Sequence, residues 1–324
     1  MLPELEPAYR GRRVCVTGGA GFIGSHLVSA LVELGADVSV IDDLSTGRRR
    51  NLPEPARLVA GSILEPAALA KAVTGAQVIF HLAALTSVAE SVERPEDYLQ
   101  VNDAGTLRVL EAARAAAAPD HRVVYAASSS VYGDRGEIAL VESLAPKPAS
   151  PYAASKCAGE QILSAYAVCH GLSCISLRYF NIFGPRQQPD SPYAAVIPRF
   201  AEALLAGRRL TVYGDGTQTR DFTHVADAVR ANLLAGASER PLRGESVNIA
   251  CGRRSDLLTL IRLMGEILGV EPAYELAPPR AGEVKHSLAD ITAAGELLGY
   301  RPLVGLEKGL KETLAYFADE SKSS

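Results

Sequence analysis

Val14-Cys15-Val16-Thr17-Gly18-Gly19-Ala20-Gly21-Phe22-Ile23-Gly24 is the stretch on which the reading of this chain turns. An apolar, β-branched run enters three glycines spaced GxxGxxG, and beyond them Ile23, Leu27, Leu31 and Leu34 recur at three- or four-residue intervals until Gly35. The hydrophobic period changes from strand to helix across the glycines. In a strand–turn–helix of this kind Gly18 permits the tight turn. Gly21 lets backbone N–H groups approach a pyrophosphate at the helix N-terminus, and Gly24 lets helix and strand pack closely. A plain glycine-rich turn has the same appearance, and the next strand separates the two. It ends in Asp42-Asp43, at the distance expected of an acid that accepts hydrogen bonds from both ribose hydroxyls and repels a 2′-phosphate. NAD is therefore favoured over NADP. Arg48-Arg49-Arg50 pull weakly the other way, because arginines here can hold a 2′-phosphate, and they read more simply as a solvated loop face.

Outward from this turn the first half alternates. Strand-like runs fall at 12–17, 37–41, 57–60, 78–83, 122–127 and 172–177, with helical segments between them, including Ala-rich 104–118 and 153–170. Strands apolar on both faces and separated by amphipathic helices predict βαβ units and a parallel sheet. After Asn181 the rhythm breaks at Gly184-Pro185, Pro189 and Pro192, and short elements follow at 210–213, 246–249, 257–268 and 306–317. The expected class is α/β: a doubly wound parallel sheet over 1–181 that binds the dinucleotide, and a smaller mixed α/β C-terminal substrate lobe over 182–324. Segments such as 210–250, and strand 246–249 in particular, are expected to return to the main sheet.

The bulk numbers narrow the partners. The 324 residues are 48% hydrophobic and 22% charged, with a formal net charge of −4, which excludes an electrostatic grip on nucleic acid or acidic membranes. No apolar run is long enough to span a bilayer, and 1–9 carries no secretory pattern. The five cysteines are scattered without a CxxC pair, so a reduced, cytoplasmic protein with packing cysteines is expected. None of the six histidines is paired at ligand spacing, so no metal is expected.

The chemistry lies in a second constellation. Ser128-Ser129-Ser130 closes the fifth strand run, and Tyr152-Ala153-Ala154-Ser155-Lys156 opens a helix on which Tyr152 and Lys156 share a face. A phenol ordinarily titrates near pH ~10. An adjacent ammonium and a positively charged nicotinamide favour the phenolate, so Tyr152 can act as a base near neutral pH. Ser128 can bridge the substrate hydroxyl and the phenolate. YxxxK alone is weak; in this order behind a glycine turn it is strong.

With these residues in place the chain resembles the extended short-chain dehydrogenase/reductases, specifically the UDP-hexose 4-epimerases. The resemblance covers nearly the whole chain: TGGAGFIG (17–24), FHLAA (80–84), SSSVYG (128–133), SPYAASK (150–156), RYFNIFGPRQ (178–187), YAAVIPRF (193–200), RDFTHVAD (220–227) and PPRAGEVKHSLAD (278–290). It implies a Rossmann-type fold, with Ser128, Tyr152 and Lys156 catalytic. It implies an NAD site formed by Gly18, Gly21, Phe22, Ile23, Gly24, Asp42, Asp43, Ser45, Thr46, Gly47, Ser62, Ile63, Leu82, Ala83, Ala84, Asn102 and Phe180, together with Tyr152 and Lys156. Asn181, Arg220 and Arg280 would hold the diphosphate of a UDP-sugar. Ala195, Val196 and Tyr213 would border the uridine, and Ser128, Ser129, Glu283 and Ser287 would complete the substrate site. Two departures stand out: Ser62 replaces an acid usual near the adenine, and Glu283 replaces an Asp one methylene shorter.

The implied reaction removes the proton of the sugar 4-hydroxyl, passes the C4 hydride to NAD, turns the 4-keto sugar over and returns the hydride to the opposite face. Serine at 287, where an aromatic residue would crowd a 2-acetamido group, implies that UDP-GlcNAc and UDP-GalNAc are accepted beside UDP-glucose and UDP-galactose. Related dehydratases and decarboxylases place an acid where this chain has Ser128-Ser129-Ser130, which argues against elimination. The alternatives are a UDP-glucuronate 4-epimerase, against which Asn181 weighs, and a non-catalytic NAD-binding protein, against which the intact Ser128–Tyr152–Lys156 set weighs. The two Ala-rich helices would pair with their copies in a homodimer.

Overall fold

In the computed structural model, residues 3–116, 118, 121–189, 195–279 and 284–323 are described. Seven parallel strands form the main sheet: β1 (Arg13–Thr17), β2 (Asp37–Asp42), β3 (Arg57–Ala60), β4 (Val78–His81), β5 (Arg122–Ser128), β6 (Ser173–Tyr179) and, from the far half of the chain, Arg243–Ile249. Their spatial order is the last strand, then β6-β5-β4-β1-β2-β3. The order reverses between β1 and β4, and a crevice opens there outside the carboxyl ends of the strands. Glycine turn, Asp42, Ser128 and Phe180 all lie at those ends because each follows or closes its strand.

The sheet is covered on both faces, as expected of parallel strands with almost continuous apolar sequence. One face packs Leu27, Val28 and Leu31 of α1 (Phe22–Glu33) with Val225, Val229 and Leu233. The other packs Leu69 and Val73 of α2 (Pro66–Val73), Val109 and Leu110 of α3 (Gly105–Ala116) and Leu163 of α4 (Pro151–His170). The edge strand Arg243–Ile249 pairs with β6 in register from Ser246↔Ser176 to Ile249↔Tyr179, so the expected return of 246–249 to the main sheet is observed.

The remaining elements build a separate cluster from Ile197, Phe200, Val212, Phe222, Leu260, Met264, Leu310 and Leu314. Its helices are α5 (Val196–Leu205), α7 (Leu257–Leu268) and a C-terminal helix at Leu306–Ser323, whereas α6 (Val225–Ala237) and a short helix at Thr292–Leu298 pack with the main sheet. A two-stranded parallel pair, Leu210–Tyr213 with Tyr274–Ala277, flanks it.

Candidate active site

The glycine turn is built for close approach. Gly18 sits at φ +68°, and a Cβ there would come 2.7 Å from the Ala83 amide nitrogen. A Cβ at Gly24 would come 2.1 Å from the Gly18 carbonyl oxygen, a distance no side chain adopts. Gly21 is the N-cap of α1, which leaves the first-turn N–H groups of that helix without a side-chain cap. Asp42 at the end of β2 is buried; its carboxylate accepts from the Ala20 N–H at 2.9 Å and the Leu44 N–H at 2.8 Å. A carboxylate offers about four acceptor positions, so two remain, the number that a ribose diol needs. Burial raises the Asp42 carboxyl above its ordinary value, and the two backbone N–H groups oppose that rise. Asp43 points away: it is exposed and accepts from the Ser45 N–H and hydroxyl at 3.0 and 2.6 Å. Ser45 and Thr46 are exposed on the same loop, and Gly47 is packed against Ala20 and Asp42.

Across the crevice Leu82, Ala83 and Ala84 follow β4. The Leu82 N–H donates to the Thr17 carbonyl at 3.1 Å and the Ala83 N–H to the Thr17 hydroxyl at 3.0 Å, which locks the end of β4 to the glycine turn. Thr17 continues a buried chain through His81 (2.8 Å) to Thr106 (2.9 Å). Burial and the nearby Lys156 charge pull the His81 imidazole down to about 3, so it is neutral there. Ile63 is buried, and a Cβ on Gly105 would come 2.6 Å from its Cδ1. Ser62 accepts from the Leu64 N–H at 3.1 Å.

Asn102 lies in a π-helical turn, Leu99–Ala104, that leads into α3. Its amide donates to the Leu85 carbonyl (3.0 Å) and the Ser155 hydroxyl (3.0 Å) while its oxygen accepts from the Leu85 N–H (2.9 Å). The side chain thus pins the loop after β4 to the helix that carries Tyr152 and Lys156. π-turns of this sort are frequent at functional sites.

That helix, α4, starts cleanly. The Ser150 hydroxyl accepts from the Ala153 N–H at 3.1 Å, and Pro151 occupies the first helical position. Tyr152 and Lys156 are therefore fixed in the first turn and a half, and both are buried. The Lys156 Nζ donates to the Ala126 carbonyl at 2.9 Å and stands 4.9 Å from the Tyr125 ring centroid and 6.0 Å from that of Tyr152. Burial pulls Lys156 down to about 8, while Asp103 and Glu160 favour its charge. Burial raises the Tyr152 phenol, and a hydrogen bond with Ser128 works against that rise. Ser128 is half-buried, as is Ser129, and also accepts from the Ser130 N–H at 3.2 Å. The structure brings Ser128, Tyr152 and Lys156 together as the sequence predicts.

Beyond Phe180, which is buried against Tyr132, Asn181 adopts φ +39° and donates to the Asp221 carbonyl at 3.3 Å. A cavity of about 220 Å³ opens beside it. Asn181, Ala195, Val196, Tyr213 and Arg220 line this cavity, as do four residues the sequence reading passed over: Arg199, Thr211, Gln218 and Phe222. Arg199 and Phe222 stand inside YAAVIPRF and RDFTHVAD and Thr211 and Gln218 in no motif; tertiary folding brings all four to one wall. Ser287 is buried beyond it, and its N–H donates to the Thr219 carbonyl at 3.1 Å. Arg280 and Glu283 lie outside the described residues, as do Tyr193 and Ala194.

Two further features were missed. Asp103, next to Asn102, has a buried Oδ1 with no hydrogen-bond partner among the described residues, and burial pushes its carboxyl up to about 6 against the pull of Lys156. Glu160 forms a buried two-point ion pair with Arg178 at 2.8 and 2.7 Å. Among the described residues no group of three His, Cys, Asp or Glu is placed to hold a metal, and no helix is long and apolar enough to cross a membrane.

Residues 14–250 match the model of the NAD dependent epimerase/dehydratase family. The chain belongs to that family. It is 38% identical to a UDP-glucose 4-epimerase of Mycolicibacterium smegmatis, over 96% of this chain and 100% of the relative. A UDP-N-acetylglucosamine 4-epimerase from Methanobrevibacter ruminantium, solved with UDP-N-acetylmuramic acid, superposes with a TM-score of 0.91 at 37% identity, over 96% of this chain and 99% of that one. A UDP-glucose 4-epimerase of Thermus thermophilus, solved with NAD, superposes with a TM-score of 0.86 at 35% identity, over 94% and 98%. The membership accounts for the glycine cradle, the free acceptor positions on Asp42 and the Rossmann strand order: this donor set fits NAD.

Proposed function

We propose that the chain interconverts the C4 epimers of a UDP-hexose with NAD as a resident cofactor. The observation that carries the reading is the junction of two sites: a Ser128–Tyr152–Lys156 set at the strand ends, and a lined cavity beginning at Asn181, just past the end of β6. NAD, when bound, supplies a hydride acceptor that becomes the donor, and a positive ring charge beside the phenol. Without that charge burial keeps Tyr152 protonated, and Lys156 is the cation that this chain itself contributes to the phenolate. Tyr152 takes the proton of the 4-hydroxyl, Ser128 bridges the two oxygens, and Tyr152 returns the proton after the 4-keto sugar has turned over. Net redox change is nil.

The turnover of the sugar sets the rest of the design. Tight contacts on the hexose would oppose its rotation, so the binding energy belongs on the nucleotide. Asn181, Arg220 and Arg280 hold the diphosphate, while Ala195, Val196 and Tyr213 border the uridine; Arg199 and Gln218 are added from the cavity lining. Glu283 meets the uridine ribose. The cofactor portion is 1–181 with the returning edge strand, and the nucleotide sugar belongs chiefly to 182–324. Ser287 leaves room for a 2-acetamido group, so N-acetylated hexoses are substrates; undiminished turnover of UDP-GlcNAc by Ser287→Tyr would refute this.

The protein acts as a cytoplasmic homodimer. Leu99 in the π-turn, Leu107 on α3 and Val168 on α4 are 48%, 43% and 82% exposed, apolar side chains available to a second copy. Sedimentation decides the assembly. The activity is tested with UDP-glucose, UDP-galactose, UDP-GlcNAc, UDP-GalNAc and UDP-glucuronate, reading epimers directly. Conversion of none of them overturns the proposal, and preference for the uronate favours the glucuronate branch.

A further inference from the structure

The loop at 43–51 closes over the acid assigned to the ribose. The Arg48 N–H and the Asn51 side-chain amide both donate to the Ala20 carbonyl, at 3.0 and 3.2 Å. A Cβ on Gly47 would lie 2.7 Å from Asp42 Oδ1 and 2.8 Å from the Ala20 Cβ, so the loop sits directly on the glycine turn. The loop buries little of itself: Ser45, Thr46, Arg49 and Arg50 are exposed. Polar ties are what hold it.

Further ties come from the other half of the chain. The Gln188 side-chain amide donates to the Thr46 carbonyl at 2.6 Å. Arg186, at φ +66°, reaches the Asn51 carbonyl and the Ser29 hydroxyl, both at 3.4 Å. Glu320 of the C-terminal helix pairs with Arg50 at 2.7 Å. The segment itself is nailed to α1, since His26 Nε2 donates to the Pro185 carbonyl at 2.8 Å. Burial pulls this imidazole down to about 4, so it stays neutral and keeps one N–H for that bond at neutral pH. The same segment begins at Asn181, on the wall of the nucleotide cavity.

We infer that residues 185–188, with Glu320, form a clasp that holds the 43–51 loop shut over the adenosine end of the cofactor. This rests on the reading of NAD as resident. An epimerase must keep the reduced cofactor in place while the keto sugar turns, and this loop, seated on Asp42, is tied down by polar contacts at the surface. Gln188, Arg186 and Glu320 are positioning residues: they act through the loop.

The test is the rate at which purified full-length protein releases bound NAD, captured by excess of an NAD-consuming dehydrogenase after dilution. Loss of one uncharged hydrogen bond corresponds to about fivefold, so Gln188→Ala is expected to release NAD about fivefold faster. Glu320→Ala, which removes an exposed pair, is expected to give about twofold, and the double variant more than either. Gln188→Arg restores a donor to the Thr46 carbonyl and is expected to slow release again. A merely structural role would lower the melting temperature of the NAD-stripped variants and leave the rate of NAD release unchanged. Wild-type release rates in the double variant overturn the inference. So does weakened UDP binding with unaltered NAD release, which would assign the segment to the substrate alone. A wild-type protein that holds no NAD at all would instead overturn the cofactor reading.

Discussion

Replacing Glu160 with glutamine exposes the energetics of the catalytic helix. Glu160 and Arg178 are 2% and 5% exposed, and the guanidinium spends Nε and Nη2 on the carboxylate and Nη1 on the Tyr132 hydroxyl at 2.8 Å. Tyr132 donates onward to Asn248 at 2.7 Å. Glutamine keeps the shape and one acceptor, loses the charge and turns an NH₂ group toward the guanidinium. Arg178 remains ionised in the variant, because a guanidinium does not give up its proton even when buried. Stranding a buried charge costs about 3–5 kcal/mol. At about 2–4 °C per kcal/mol the NAD-free protein should melt about 6–20 °C lower. The double variant Glu160→Met/Arg178→Met strands nothing and should lose less than Glu160→Gln, although it removes more hydrogen bonds. Thermal unfolding followed by circular dichroism reads both. A single variant within about 1 kcal/mol of wild type, or a double variant worse than the single, refutes the argument. Kinetics give an independent readout. Glu160 favours the Lys156 ammonium, so its removal should draw the alkaline limb of turnover to lower pH.

Tyr152→Phe should lower turnover by about 10²–10⁴-fold while NAD still co-purifies; loss of NAD with activity would mean that the phenol serves binding. Gly24→Ala drives a Cβ into the Gly18 carbonyl, and the protein should purify without NAD; a full complement of cofactor contradicts the cradle geometry. Burial pulls Lys156 down to about 8, and only its protonated form stabilises the phenolate, so turnover should fall as pH rises through that value. Asp103→Asn removes a charge that favours the ammonium, and the fall should begin at lower pH; an unmoved limb means that Asp103 does not reach Lys156 electrostatically.

Sequence periodicity located six of the seven main strands to within two residues, because parallel strands buried on both faces write themselves as continuous apolar runs, and missed the first three residues of Arg243–Ile249. Strand 57–60 and helix 257–268 coincide with the observed bounds. The glycine turn, Asp42 and the Tyr152–Lys156 pair were legible because their chemistry fixes both residue type and spacing. Asp103 and the Glu160–Arg178 pair were not, since a buried ion pair needs two elements brought together by the fold, and each partner alone resembles a surface charge. The π-turn around Asn102 also escaped: its single extra backbone residue leaves no trace in the short run Leu99–Ala104. The clasp was hidden for a third reason. GPRQ was quoted as part of a motif, yet its partners at Ser29, Thr46 and Asn51 lie more than a hundred residues away.

The edge strand Arg243–Ile249 also bears on the order of synthesis. Its partner β6 ends at Tyr179, and Ile249 accepts the Phe180 N–H at 3.1 Å, beside the first residue of the nucleotide cavity. A ribosome adding about 5–20 residues per second takes several seconds to cover that interval. Throughout it β6 presents a bare row of peptide groups on an otherwise complete sheet, the geometry that invites pairing with a neighbouring nascent chain. The half that carries the cofactor is first to emerge and last to be sealed.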